Sequence, residues 1–429
     1  MKICLVSNGY PPEEISGLSR YLSDLAHFIA GKGMEVHVVA ASNGAPSVEK
    51  DGKITIHKIP SLNMYGKAEE VDRMKNIFIY LDNLIKKENI SLLSCHNFHT
   101  WSIRGGSYAM ASALSGAINN VPCILTMHNA FYDDVDKMAL NSTPWSKIIC
   151  VSTYISELAY NAGTPIEKIS KCYPGVNLKK FRNDLESNWL RQRIGLGPNE
   201  FLILSAMRIV DEEKGDILEW KGVKTLIKAF SIVAQQHPDI ELLIAAPKPA
   251  EKFLSVYKKV VKKIMEQCQL LGIRDRVKIK HFSMDEMPNV YMESDLFVLP
   301  SECEPFGLVY IEAMASGVPV IGTTVGGVPE IIHNNVNGYI VEPKEPVELA
   351  KRITWLIEKP KKRDKFIKNG LETVREKFDL DDKMENLLGA YKSVVSKKGA
   401  ARKQKKKAKK KSAVPNLGML FKKTSPKTL

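Results

Sequence analysis

The sequence predicts an α/β protein of two doubly wound domains, one after the other. Three observations predict it. Short apolar runs alternate with helical patterns along most of the 429 residues. The runs are apolar at nearly every position, which suits strands of a parallel sheet buried on both faces. The alternation begins again after a polar stretch at about 182–200, in a chain longer than one compact domain usually holds.

In the first half the predicted strands are KICLVSN, EVHVVAA, ITIHKI, LLSCHN, CILTMH and KIICVS, with GLSRYLSDLAHFIAGKG and AEEVDRMKNIFIYLDNLIKKEN as helices among them. In the second they are FLILSAM, ELLIAA, VKIKHF, LFVLPS, PVIGTT and GYIVEP. Strand–helix alternation builds βαβ units. The expected domains are 1–182 and 200–378, followed by a terminal helix over 379–396 that crosses back onto the first domain, and a Lys-rich, disordered tail over 397–429.

Composition narrows the function classes. Hydrophobic residues make up 44% and charged residues 26%, as in a soluble globular protein. No apolar run reaches the ~18 residues of a membrane span, and Met1-Lys2 leads straight into a strand with no signal-peptide pattern. A cytoplasmic protein, peripheral to a membrane at most, is expected. The seven cysteines are scattered without a Cys-x-x-Cys pair and read as buried small hydrophobes. Residues 397–429 hold 13 Lys and Arg and no acidic residue, so the net charge of +14 falls to about +1 over the rest. The basicity belongs to the tail.

Chemistry concentrates in SECEPFGLVYIEAMASGVPVIGTTVGGVPEII, Ser301 to Ile332. DLFVLPS reads as a strand and GLVYIEAMAS as a helix, with Glu304-Pro305-Phe306-Gly307 the turn between them. In open α/β sheets ligands sit beyond the carboxyl ends of strands, and the first amides of a helix form an anion site. Carboxylates are poor neighbours for phosphate and good acceptors for hydroxyls. Glu304 and Glu312, flanking that helix start, point to a ligand with hydroxyls on both sides of its phosphates, such as a nucleotide-sugar. Arg208, after FLILSAM, and Lys221, before GVKTLIKAF, are placed to offset a diphosphate. Capping and solubilising a surface helix is the bland alternative for a lone glutamate pair.

EPFGLVYIEAMASGVPVI followed by GGVPEII resembles the signature of family 4 retaining glycosyltransferases, which have the GT-B fold of two Rossmann-like domains facing a central cleft. The resemblance covers almost all of residues 1–395, including TMHN at 126–129 and YPGVN at 173–177. It implies transfer of a sugar from a UDP-, GDP- or ADP-sugar to an acceptor hydroxyl with retention, the acceptor being a glycan or lipid-linked. By resemblance Glu312 is the ribose-binding glutamate, and Glu304 the one near the donor sugar. Phe306, Gly307, Leu308 and Val309 form the turn whose amides meet sugar and phosphates. Arg208 and Lys221 neutralise the diphosphate. Gly17 is the loop glycine approaching the donor phosphates, and His128 the active-site histidine.

The sequence departs from the family in three places. Ser16-Gly17 stands where the family has Gly-Gly. VDEEKGDILEW separates Arg208 from Lys221 and carries Lys214 as a rival for the diphosphate. IAAPKPAE replaces a glycine-rich loop. His96 and His99 are further candidates for the acceptor cleft, one of them a packing residue. Asp134-x-Asp136 and Asp379-x-Asp381 read as solvated loop or cap residues; no metal or other cofactor is expected, the cations doing the work of a divalent ion. Two rival functions remain: a GT-B-fold nucleotide-sugar epimerase, and a nucleic-acid-binding protein using the basic tail. An anionic membrane surface is the favoured partner of that tail.

Overall fold

A computed structural model describes residues 1–11, 16–42, 44–62, 69–98, 106–130, 134–184, 188–197, 199–209, 217–249 and 251–411. The first sheet has eight strands: β1 (Lys2–Val6), β2 (Glu35–Ala41), β3 (Ser47–Asp51), β4 (Ile54–Ile59), β5 (Leu92–His96), β6 (Cys123–Met127), β7 (Lys147–Cys150) and β8 (Ile169–Lys171). Their spatial order is β3-β4-β2-β1-β5-β6-β7-β8, and only β3 runs antiparallel, against β4. The second sheet holds β9 (Phe201–Ala206), β10 (Ile240–Ala246), β11 (Val277–His281), β12 (Leu296–Val298), β13 (Val320–Thr323) and β14 (Tyr339–Val341), in the order β11-β10-β9-β12-β13-β14. Every pairing in it is parallel. This is the two-domain GT-B arrangement.

The strands are legible because burial from both faces leaves no polar alternation: β5 and β6 are buried at all five positions and β10 at all seven. Strand order reverses between β1 and β5 in one sheet and between β9 and β12 in the other, so each sheet has a switch point where loops diverge and a ligand can enter.

The terminal helix, Leu380–Lys411, starts beside the second domain and packs on the first. Leu380, Met384, Leu387, Leu388 and Tyr391 lie at helical spacing and are buried with Ile3, Leu5, Leu22, Leu25, Ile124 and Ile149. Main-chain bonds Val176 N–H to Phe378 O (2.8 Å) and Leu380 N–H to Val176 O (3.1 Å) fix where the helix returns. Its backbone continues to Lys411. Lys, Arg, Gln and Ala are strong helix formers, and elongating an existing helix avoids the cost of nucleation. Residues 412–429 lie outside the described residues.

One smaller reading is corrected and one holds. Asp134 is exposed, but Asp136 is fully buried in the helix Asp134–Ser142 and is no solvated loop residue. Asp379 does act as a cap, accepting from the amides of Asp381 and Asp382.

Candidate active site

Most of the sequence-predicted residues stand where the two switch points face each other. Lys221 follows the short helix Ile217–Trp220, and Gly222 opens the helix Val223–Gln236 with a φ of 65°. A Cβ on Gly222 would lie 1.8 Å from the Pro300 carbonyl oxygen. The turn is therefore pressed against the end of β12, and Glu302 N–H donates to Trp220 O at 2.8 Å. That contact brings Lys221 Nζ to 2.9 Å from Glu304 Oε2, the glutamate buried and the lysine partly so. Arg208 sits two residues past β9 at the same edge, exposed between the buried Met207 and Ile209.

Gly307 caps the eight-residue helix Leu308–Ala315 with a φ of 106°. A Cβ there would come within 2.6 Å of the Tyr310 ring, so the glycine is required by the protein's own packing as well as by any ligand. Phe306 is buried against Tyr173 and Phe378, with ring centroids 5.7 Å from each. Leu308 faces the first domain: a Cβ on Gly17, the first residue of the helix Gly17–Gly31, would be 3.7 Å from its Cδ1. Val309 follows in the same turn, partly buried against the core.

Glu312 is nearly buried and doubly engaged. Arg20, one turn into the first helix, forms an ion pair with its Oε1 across the cleft, and Tyr291 O–H donates to Oε2 at 3.0 Å. The guanidinium lies over the Phe181 ring, 5.0 Å from its centroid. Burial works against the Arg20 charge, but the carboxylates of Glu312 and Asp24 outweigh it and hold its pKa above the ordinary value. Sequence reasoning missed Arg20 and Tyr291. A cavity of about 370 Å³ opens beside this pair, lined by Gly17, Arg20, Lys180, Phe181, Asp285 and Leu308, and Lys180 bonds Asp285 at 2.6 Å between the domains.

On the first domain's side His128 directly follows β6, and its amide donates to Asn97 Oδ1 at 3.1 Å. His96 does not line the cleft: it is fully buried at the end of β5 and bonded to His128. A polar residue that close to the sheet centre is satisfied internally. His99 and Lys214, the other two sequence candidates, lie outside the described residues. Among the described residues no cluster of three or more His, Cys, Asp or Glu is arranged to hold a metal ion.

A third missed residue, Glu330 of GGVPEII, clamps the domains. Its carboxylate accepts from Thr153 N–H (2.8 Å), Thr153 O–H (2.6 Å), Tyr154 N–H (3.2 Å) and Tyr173 O–H (2.8 Å), at the start of the helix Thr153–Asn161. Burial favours the neutral acid, yet these donors hold its pKa below the usual range. Ser152 O–H donates to Pro305 O at 2.7 Å beside it, tying the clamp to the Glu304 turn.

Comparison with known proteins agrees with this architecture. Residues 15–180 match the family model described as Glycosyltransferase Family 4, and residues 213–373 the model for Glycosyl transferases group 1. An uncharacterized glycosyltransferase of Methanocaldococcus jannaschii is 26% identical over 426 residues, covering 93% of this chain and all of that protein. D-inositol 3-phosphate glycosyltransferase 1 of Catenulispora acidiphila is 26% identical over 413 residues, covering 89% of this chain and 92% of the relative. Among solved structures, a glycosyltransferase of Rickettsia africae superposes with a TM-score of 0.74 at 22% identity over 92% of this chain and 98% of its own. HepE of Anabaena, solved in complex with UDP and glucose, does so with 0.72 at 21% identity over 92% of this chain and all of its own. Matched in both halves and sharing the fold from end to end, the chain belongs to the group 1, family 4 glycosyltransferases of GT-B fold.

Proposed function

We propose that this protein moves a hexose from a nucleotide-sugar to an acceptor hydroxyl with retention of anomeric configuration and without a metal ion. The observation that carries the reading is the convergence, on one cleft, of a partly buried lysine paired with a buried glutamate, a second buried glutamate eight residues on, and a glycine-opened helix start between them. Glu312 receives the ribose hydroxyls and Glu304 the donor sugar. Lys221 and Arg208 face the diphosphate together with the first amides after Gly307.

Cleavage of the bond from anomeric carbon to phosphate oxygen leaves positive charge on the sugar and negative charge on the diphosphate. Preorganised cations at the leaving group are the largest contribution a protein makes to such a step. The acceptor oxygen bonds the anomeric carbon from the leaving-group side, and its proton passes to the departing phosphate oxygen. Gly17 closes over the phosphates and His128 lines the sugar side. The retaining course rests on the resemblance of residues 304–332 to the retaining family. The donor nucleotide is a UDP-, GDP- or ADP-sugar, the acceptor a glycan or lipid-linked hydroxyl, and the protein works in the cytoplasm, at the membrane face where the basic helix meets anionic lipid.

A thermal-shift screen of UDP-, GDP- and ADP-sugars, followed by product NMR, tests this. One donor class is expected to raise Tm, and the anomeric coupling of the product to match that of the donor. An inverted product refutes the retaining course; a changed sugar without transfer refutes transfer itself.

A further inference from the structure

A buried chain of hydrogen bonds runs from the terminal helix into the cleft. Tyr391 OH lies 2.6 Å from Ser94 Oγ; Ser94 Oγ lies 3.1 Å from His96 Nε2; His96 Nδ1 lies 3.1 Å from His128 Nε2. Tyr391, Ser94 and His96 are fully buried, and only His128 at the cleft end is partly open. Tyr21 of the first helix packs edge-on against the His128 ring, 5.1 Å between centroids, and also meets the His96 ring at 6.1 Å. We propose that Tyr391 and Ser94 are positioning residues for sugar transfer: through His96 they set the tautomer of His128, placing its proton on Nδ1.

The direction follows from counting hydrogens. Burial raises the pKa of Tyr391, so the phenol keeps its proton. Burial, with His128 beside it, drives the pKa of His96 well down, so His96 is neutral and carries one proton and one lone pair. Each hydroxyl has one hydrogen to give. If Tyr391 donates to Ser94, then Ser94 donates to His96 Nε2, His96 donates through Nδ1–H, and His128 Nε2 accepts. In the opposite direction the Tyr391 hydrogen needs an acceptor other than Ser94. Thr126 is the phenol's other hydrogen-bonding neighbour and lowers its pKa, as a hydroxyl donating to it does, and its oxygen takes no hydrogen bond of accepted length and angle. A buried donor without a partner costs about 1–3 kcal/mol, so the first direction holds. The chain gives the crossover of the terminal helix a role in the site: Leu387 and Leu388 seat the helix, and Tyr391 connects it to the cleft.

The inference rests on the cleft being the transfer site, and its test separates the two. Nitrogen-15 labelling of the nine histidines, with the His128 signals assigned by their loss in His128→Gln, reads the tautomer in the full-length protein without any turnover. The wild type is expected to show His128 protonated on Nδ1. Tyr391→Phe and Ser94→Ala are each expected to shift His128 toward the Nε2–H form. Each should lower kcat about tenfold while donor KM moves less than about twofold, and the double variant should lose no more than either single one. Leu387→Ala loosens the same helix without touching the chain; it is expected to lower Tm and keep both tautomer and kcat. If wild-type His128 is protonated on Nε2, or if Ser94→Ala leaves tautomer and kcat unchanged, the proposal is overturned, whether or not Tyr391→Phe folds. A correct tautomer shift in a protein that transfers no sugar would leave the chain standing and sink the transfer reading.

Discussion

Arg20 and Glu312 form an ion pair across the cleft between two domains, 292 residues apart in the chain. Both oxygens of the carboxylate proposed for the ribose are engaged, by Arg20 on one and Tyr291 on the other. On the proposed reading a nucleotide displaces the guanidinium to reach it. Replacing Arg20 by Gln removes that competitor and leaves Glu312 with Tyr291 alone. Free nucleoside diphosphate is expected to bind several-fold more tightly, and Tm to fall, because a nearly buried carboxylate loses its counter-charge. Calorimetric titration checks this; weaker binding in Arg20→Gln would show that Arg20 holds the nucleotide instead.

Lys221 and Glu304 form a second lysine- or arginine-to-glutamate pair, at 2.9 Å, on the side proposed for the reacting bond. Loss of Lys221 leaves the diphosphate uncompensated and Glu304 unpaired, so Lys221→Ala is expected to cut kcat/KM by about 100- to 1000-fold, or about 3–4 kcal/mol of transition-state stabilisation. Arg208→Ala, at an exposed position, should cost less, roughly tenfold. Steady-state kinetics with the donor found by screening decides. Near-normal turnover in Lys221→Ala would move the diphosphate contact to Lys214.

The roles proposed for the two glutamates separate nucleotide binding from turnover. Glu312→Gln is expected to weaken nucleoside diphosphate binding about tenfold or more, through the ribose hydroxyls. Glu304→Gln should leave that binding within about twofold and slow turnover, because its partner Lys221 and the donor sugar lie on the reacting side. Equal losses of nucleotide affinity in both variants would remove the distinction.

Much of this was legible before any coordinates. Strands buried on both faces announce themselves as unbroken apolar runs, and Glu304, Gly307 and Glu312 stand within nine residues of one another. What escaped has physical reasons. β3 reads SVEKD and is exposed at every position, so it lacks an apolar signal and exists only by pairing with β4. β8 is three residues long. Arg20 looks like any polar residue on an amphipathic helix until the fold brings Glu312 to it. Glu330 reads as a surface glutamate, yet its four donors all come from the other domain. Pairings between distant segments leave no periodicity in the chain, and they make up most of what was missed.

A second histidine pair bears on stability. His37 Nδ1 and His57 Nε2 lie 3.0 Å apart between β2 and β4, and His57 Nδ1 meets Tyr80 OH at 2.9 Å. Burial, then the neighbouring His37, lowers the His57 pKa to about 4. The unfolded chain therefore binds the proton first as pH falls. The stability this neutral ring provides is complete above about pH 6.5 and is lost as pH drops from there toward 4. Urea midpoints are expected to fall between pH 7.5 and pH 5, by a contribution of about 1–2 kcal/mol after allowance for solvent screening. His57→Phe should flatten that slope; an unchanged slope would assign the acid sensitivity elsewhere.

The last prediction concerns the basic end of the terminal helix. Arg402–Lys411 holds eight Lys or Arg in ten residues, and the helix that carries them is seated on the first domain up to Tyr391. None of the described helices is long and apolar enough to cross a membrane. A charged helix without an apolar stripe lies on a surface rather than entering it. Beside an anionic bilayer each basic residue contributes about 1 kcal/mol, fading within a Debye length, so eight suffice to hold the enzyme at low salt. Nucleic acid would attract the same charge, so the assay includes it. Truncation after Ala400 removes this segment and keeps the packed helix. It is expected to abolish sedimentation with phosphatidylserine-containing vesicles, leave Tm and transfer to a short-chain soluble acceptor unchanged, and slow transfer to an acceptor embedded in those vesicles. Binding that persists in the truncated protein would place the membrane contact on the folded domains. Tighter binding of the full-length protein to RNA than to vesicles would replace the lipid partner with nucleic acid.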